Sequence, residues 1–130
     1  MVDKNRHIIL PYSTIVFHEN GLAEIKVEDY ALIDIAECEE ITAVFKSNIG
    51  ENKVPVLHIV GKYSNATKEA RDYMASDIGT SNSIAEAFVF TSLAHKIIGN
   101  FYLKFNKPKV PTQFFKTREE AIVWLLTFVK

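Results

Sequence analysis

Val54-Pro55-Val56-Leu57-His58-Ile59-Val60 is a nearly unbroken apolar and β-branched run that stops at Gly61. A run of this kind suits a strand buried on both faces, as in a parallel sheet covered by helices; a half-wet strand would alternate. Ala87-Phe88-Val89-Phe90-Thr91 is a second run of the same type. Between the two the pattern turns helical. Thr67 is placed to cap a helix whose inner face carries Ala70, Met74 and Ile78 and which Gly79 ends, and Gly79 to Ser83 is rich in turn formers.

Upstream, Asp34-Ile35-Ala36-Glu37 has the form of a capping box, in which Asp34 and Glu37 each accept from the other's backbone amide. Apolar residues follow at Ile35, Cys38, Ile41, Phe45 and Ile49, spacings of three and four that predict a helix over 35–49, with Gly50 just past it. Further back, Thr14 to His18 and Leu22 to Val27 are β-type runs separated by Glu19-Asn20-Gly21. Asn-Gly between such runs signals an antiparallel hairpin, because both residues tolerate positive φ. Residues 1–12 read as a loose lead-in.

Downstream, Ser92 is placed to cap a third helix with Ala94, Ile97, Ile98, Phe101 and Phe105 expected inward. Asn106-Lys107-Pro108 ends it, since proline cannot continue the helical ladder. Thr112 to Phe115 is a last short strand. Thr117 to Glu120 is a second capping-box pattern, opening a helix that buries Ala121, Ile122, Leu125 and Phe128. The order β-β-α-β-α-β-α-β-α predicts one α/β domain over 1–130: a mixed, mostly parallel sheet with an antiparallel N-terminal hairpin.

Composition narrows the function. Fifteen Lys and Arg against sixteen Asp and Glu leave a formal net charge of -1, without the basic footprint of a nucleic-acid binder. No polybasic run draws the chain to anionic lipid, and no apolar stretch approaches the length of a membrane helix. Cys38 is the one cysteine, so no intramolecular disulfide and no thiolate metal cage form; this and the charged start MVDKNRHIIL favour the cytoplasm. His7, His18, His58 and His95 show no i, i+4 pairing of the sort helical zinc sites use, so no metal and no cofactor is expected.

The order of elements, together with the stretch IGNFYLKFNKPKVPT at 98–112, the Glu69-Ala70-Arg71 step and the segment Thr117 to Trp124, resembles an uncharacterised bacterial family labelled STAS/SEC14 domain-containing. That family is similar in fold to the SpoIIAA-like anti-sigma-factor antagonists, and the similarity runs from about Gly21 to Trp124. The resemblance implies a SpoIIAA-like fold and a regulatory, protein-binding role with an unidentified protein partner. It also makes Ser64 or Thr67 the counterpart of the serine that is phosphorylated in those antagonists. They carry an Asp-Ser-Ser-Gly-like run there, where this chain has Tyr63-Ser64-Asn65-Ala66-Thr67. Lipid carriage, the SEC14 analogy, needs a larger cavity than 130 residues comfortably enclose.

Each candidate residue has a plain structural reading beside the functional one. Ser64 and Thr67 are phosphate or anion candidates, and Thr67 is equally a cap. Ser92 and His95 start a helix at the carboxyl end of a parallel strand, where α/β folds tend to bind ligands, and Ser92 is also a cap. Asn100, Lys104, Asn106 and Lys107 form a possible contact surface for an acidic group, while turn chemistry accounts for the neighbouring prolines. Arg71 and Asp72 are expected to pair on the surface, and His58 to be hydrogen-bonded within its strand. Cys38 lacks the neighbouring base a nucleophile needs. With no GxSxG, Walker, Rossmann or HExxH motif, no catalytic residue is assigned. Helix 4 is apolar nearly all round, which leaves Trp124, Val123 or Leu126 to form a homodimer contact unless His7 to Leu10 or the loops cover them.

Overall fold

In the computed structural model, which describes residues 5–129, the chain runs β1 (Arg6–Leu10), β2 (Ser13–Phe17), β3 (Ala23–Val27), β4 (Leu32–Ile33), α1 (Ile35–Ile49), β5 (Val54–Ile59), β6 (Asn65–Ala66), α2 (Lys68–Ala75), β7 (Ser83–Val89), α3 (Leu93–Phe101), a π-helical turn (Tyr102–Asn106), β8 (Thr112–Phe115) and α4 (Arg118–Leu126). Six strands make one sheet in the order β1-β2-β3-β5-β7-β8, and β4 and β6 form a separate two-residue parallel pair. The first two pairings are antiparallel and the next three parallel. This is the mixed sheet the sequence predicts.

Local chemistry accounts for the elements. Gly21 closes the β2–β3 hairpin at φ +96°, a value that favours glycine, and Asn20 Oδ1 accepts from the Leu22 amide. The Asp34–Glu37 capping box is present at the start of α1. Thr67, Ser92 and Thr117 each accept an amide hydrogen bond at the start of α2, α3 and α4. At Thr117 the box is one-sided: its hydroxyl donates to the Glu120 carboxylate instead.

The sheet's two faces differ. Leu57, Ala85, Ala87 and Val89 point to α4 and pack with Leu22, Ala121 and Leu125. Three alanines in that layer let the helix lie close, and Leu57 and Leu125 are wholly buried. Residues of opposite parity, Val56, His58, Glu86 and Phe88, face α1, α2 and α3. Ile15, Phe17, Ile25 and Phe45 form the α1 core there, while Ala75, Phe88 and Tyr102 form a smaller cluster beneath α3. Three successive helices on one face are what right-handed crossovers produce when β3, β5, β7 and β8 are laid down in order.

Several expectations need correction. Of the lead-in, residues 1–4 lie outside those described, but Arg6–Leu10 is not loose: it is an edge strand paired to β2. It therefore sits at the opposite edge from β8 and does not cover α4. The second buried strand begins at Ser83, not Ala87, so part of the expected turn is sheet. α2 ends at Ala75, and Ile78 is exposed. The expected inner face of α3 is turned outward: Ala94, Ile97, Phe101 and Phe105 are exposed, and Ile98, Gly99 and Tyr102 face the sheet. Gly99 explains the register. A Cβ there would lie 2.9 Å from the Phe114 ring, so this is where the helix comes down on the sheet.

Candidate functional site

Beneath α3 the packing is incomplete. A cavity of about 190 Å³ lies between the sheet and the three helices, walled mainly by apolar side chains such as Ile41, Val56, Met74, Phe88 and Ile98. It runs along the parallel strands from Ser83 at the start of β7 to Ser64 and His95 at the strands' carboxyl ends.

Two ionisable residues of the sheet, His58 and Glu86, project into this apolar space. They sit on adjacent parallel strands, and His58 Nε2 lies 2.6 Å from Glu86 Oε1. The imidazole is stacked on Phe88, with ring centroids 4.1 Å apart and planes within 6°. Tyr102, the first residue of the π-helical turn, closes the group: burial raises its phenol above the usual tyrosine range, and the Glu86 carboxylate nearby adds to the rise. Among the described residues, neither the second ring nitrogen of His58 nor the Tyr102 hydroxyl has a hydrogen-bond partner.

Most other polar groups on the wall are satisfied or inert, and Arg71 is the exception. Tyr73 donates to Thr42 Oγ1. Burial, with the acidic residues at the start of α1, pushes the Cys38 thiol up to about 12, so it stays protonated and behaves as a small hydrophobe. Arg71 does not pair with Asp72. Its Nη1 donates to the Ala66 carbonyl at 2.6 Å, its Nε is buried without a partner among the described residues, and Asp72 pairs with Lys68.

The candidates from the sequence are scattered about this cavity. Ser64 is buried at its upper end, its hydroxyl donating to the Gly61 carbonyl at 2.7 Å. His95 Nε2 bonds the Ser64 carbonyl oxygen at 2.7 Å, so α3 and the β5–β6 loop are tied together there. Thr67 both caps α2 and donates to Asp34 Oδ1 at 2.8 Å, which links the N-termini of α1 and α2. That hydrogen bond and the backbone amide of Ile35 hold the Asp34 carboxyl below the usual range. Neither hydroxyl is free, and phosphate on Thr67 would meet a carboxylate.

Asn100, Lys104 and Lys107 are exposed away from the cavity. Asn106 donates to Asp72, and Lys107 closes the π-helical turn at φ +51°. Trp124 is half-buried, its ring packed against Phe115 and Phe128. No group of three or more His, Cys, Asp or Glu among the described residues is placed to hold a metal ion.

The His58–Glu86–Tyr102 group is not legible in the sequence, although its signal is there. Glu86 is an acid within the buried strand β7, at the parity that brings it beside His58 once β5 and β7 pair.

Residues 16–129 match the family model described as "Domain of unknown function (DUF7793)". No curated protein matches the chain. Among solved structures, the chain is similar to an uncharacterised protein of the DUF3478 family with a SpoIIAA-like fold from Shewanella loihica. The TM-score is 0.57 and the identity 12%, over 93% of this chain and 91% of that one. At that identity the likeness shows the fold, which is SpoIIAA-like as expected. No described helix is long and apolar enough to cross a membrane.

Proposed function

The chain belongs to DUF7793, a family with no assigned activity, and from this premise we propose that the domain binds a small, mainly apolar molecule in the cavity beneath α3, holding its single polar group against His58, Glu86 and Tyr102. The observation that carries this reading is the pair of unpartnered polar atoms, one on His58 and one on Tyr102, in a mainly apolar chamber. Both side chains line the cavity, so these two atoms are open to a ligand. A ligand hydroxyl, amide or carboxyl would satisfy them.

Size limits the class. A cavity of about 150 Å³ lined by Leu, Ile and Phe is known to hold benzene. At about 190 Å³ this one suits a single ring or a short branched aliphatic, not a two-chain lipid. The sequence pointed to the carboxyl ends of the parallel strands; the polar group proposed here lies deeper, in the middle of the sheet.

A thermal-shift panel of phenols, indoles, aromatic acids and short fatty acids tests the reading. A ligand bound only by the folded state at a hundred times its Kd adds about 2.7 kcal/mol to stability and raises Tm. The rise should shrink in Tyr102→Phe and Glu86→Gln. No rise across the panel would overturn it.

A second reading, the protein-interaction module implied by the SpoIIAA-like fold, is favoured by Tyr30 and Tyr63. Both are exposed, both have left-handed backbone, and their rings stack 5.2 Å apart on neighbouring loops above the sheet. Exposed paired aromatics are common anchors at interfaces. Partner capture from a native lysate that is lost in Tyr63→Ala alone, with Tm unchanged, would support it. Self-association through α4 would use Val123 and Leu126, which are exposed, more than Trp124. Light scattering of Val123→Glu tests that.

A further inference from the structure

We infer that the outer face of α3 and its π-helical extension is a docking surface for an anionic lipid bilayer, on which the domain lies without spanning it.

The inner face of this segment covers the cavity; its outer face carries Leu93, Ile97, Phe101 and Phe105 at intervals of four, 73%, 61%, 48% and 60% exposed. Side chains four apart are neighbours on a helix, so the four make one strip. The wider π-helical turn keeps Phe105 on it, with the Phe101 and Phe105 ring centroids 4.5 Å apart. Leu103, 38% exposed, adds to the apolar surface of this segment. An apolar strip of this length on an exposed helix face, with no partner in the fold, marks a contact surface.

Charge identifies the occupant. Residues 87–118 hold six of the chain's fifteen Lys and Arg and none of its sixteen Asp and Glu. Arg118 is engaged by Glu24, but Lys96, Lys104, Lys107, Lys109 and Lys116 are exposed and make no ion pair among the described residues. The lysines are interleaved with apolar residues, so no run of basic letters announces them, and the overall charge of -1 hides the segregation. Lys104 Nζ lies over the Phe105 ring, 5.4 Å from its centroid, which places a cation beside the apolar strip. Phe and Leu on one side with lysines beside them is the pattern of a helix that rests in the bilayer interface, where ammonium groups reach lipid phosphates. A second copy fits poorly, since a two-fold contact would bring the same cationic segment against itself. Asp72, the acid that Asn106 of the π-helical turn contacts, is also held by Lys68.

Flotation of the full chain with vesicles of phosphatidylcholine alone, and of phosphatidylcholine mixed with phosphatidylglycerol, tests the inference. Binding is expected to the anionic vesicles only and to fall as salt is raised. Lys96→Gln/Lys104→Gln should weaken it on the order of thirtyfold, from the usual contribution of a lysine near an anionic surface. Ile97→Asp/Phe101→Asp should abolish it while Tm stays near wild type, because both residues are exposed. No binding by the folded wild type, or binding that survives the double aspartate variant, would overturn the inference. So would a dimer that the aspartate variant dissociates with no vesicle binding, which would assign the strip to a second copy. Ligand-induced thermal shifts report on the cavity and are independent of this outcome.

Discussion

His58 lies flat on Phe88, ring centroids 4.1 Å apart, while its Nε2 is held 2.6 Å from Glu86. One contact fixes the plane of the imidazole and the other its rotation, so the direction of the second nitrogen is set by the sheet itself. A binding group mounted on two central strands is positioned more rigidly than one on a loop.

That geometry predicts a non-additive pair of substitutions. Glu86→Leu strands the largely buried His58 side chain, 12% exposed, without its partner and should cost about 1–3 kcal/mol. His58→Phe/Glu86→Leu removes both polar groups and should recover most of the loss, since replacing both partners by apolar groups is nearly neutral. Urea denaturation of the two singles and the double closes the cycle. Additive losses would show that the pair is not coupled.

The register of α3 predicts a contrast between neighbours. Tyr102→Ala empties a buried aromatic site and should cost about 3–5 kcal/mol, as truncating a large buried ring does. Phe101→Ala, on the outer face, should stay within about 0.5 kcal/mol of wild type. Denaturant midpoints of the two variants measure the difference directly.

Glu24 predicts a pH dependence. Burial opposes its ionisation, but hydrogen bonds from Arg118 and His18, and their charges, outweigh it and hold the carboxyl below its ordinary 4.5. The native state thus favours the carboxylate. Its contribution is complete above the unfolded value of 4.5 and is lost as pH falls through the lower folded value. Glu24→Gln should flatten the stability profile below about pH 4.5 and lower stability near neutrality. An unchanged acid limb in denaturation at stepped pH would contradict this.

Thr67 predicts an ordering. Thr67→Ala loses the α2 cap and the link to Asp34 and should cost about 1 kcal/mol. Thr67→Asn restores an acceptor for the cap. Thr67→Asp caps as well but sets a second carboxylate against Asp34, so it should be less stable than Asn at pH 7, with the gap closing at high salt. Thermal melts at two salt concentrations decide it.

What the sequence makes legible divides along physical lines. α1 is read to its ends because its cap, its apolar spacing and its terminal Gly50 agree. α3 is misread because both Ile97-Phe101-Phe105 and Ile98-Tyr102 are apolar helical stripes, and periodicity cannot choose between two such faces. Gly99, small where the helix must touch Phe114, is the residue that decides it. The π-helical turn leaves no trace in the residue pattern, and His58 meets Glu86 only through strand pairing, a contact 28 residues apart. β1 is missed because an edge strand buries little and its pattern is weak: Ile9 is exposed.

The strand order β1-β2-β3-β5-β7-β8 follows the order of synthesis, so each strand can dock on one already made. α4 is the exception. It crosses to the far face and covers β5 and β7, both complete well before residue 118 is added. While the chain is emerging, Leu57, Ala85, Ala87 and Val89 therefore form an apolar wall that stays largely bare until α4 covers it. A nascent chain arrested before α4 exposes such surface to aggregation and to chaperones. Helix α4 thus acts as the clasp that covers this face of the sheet.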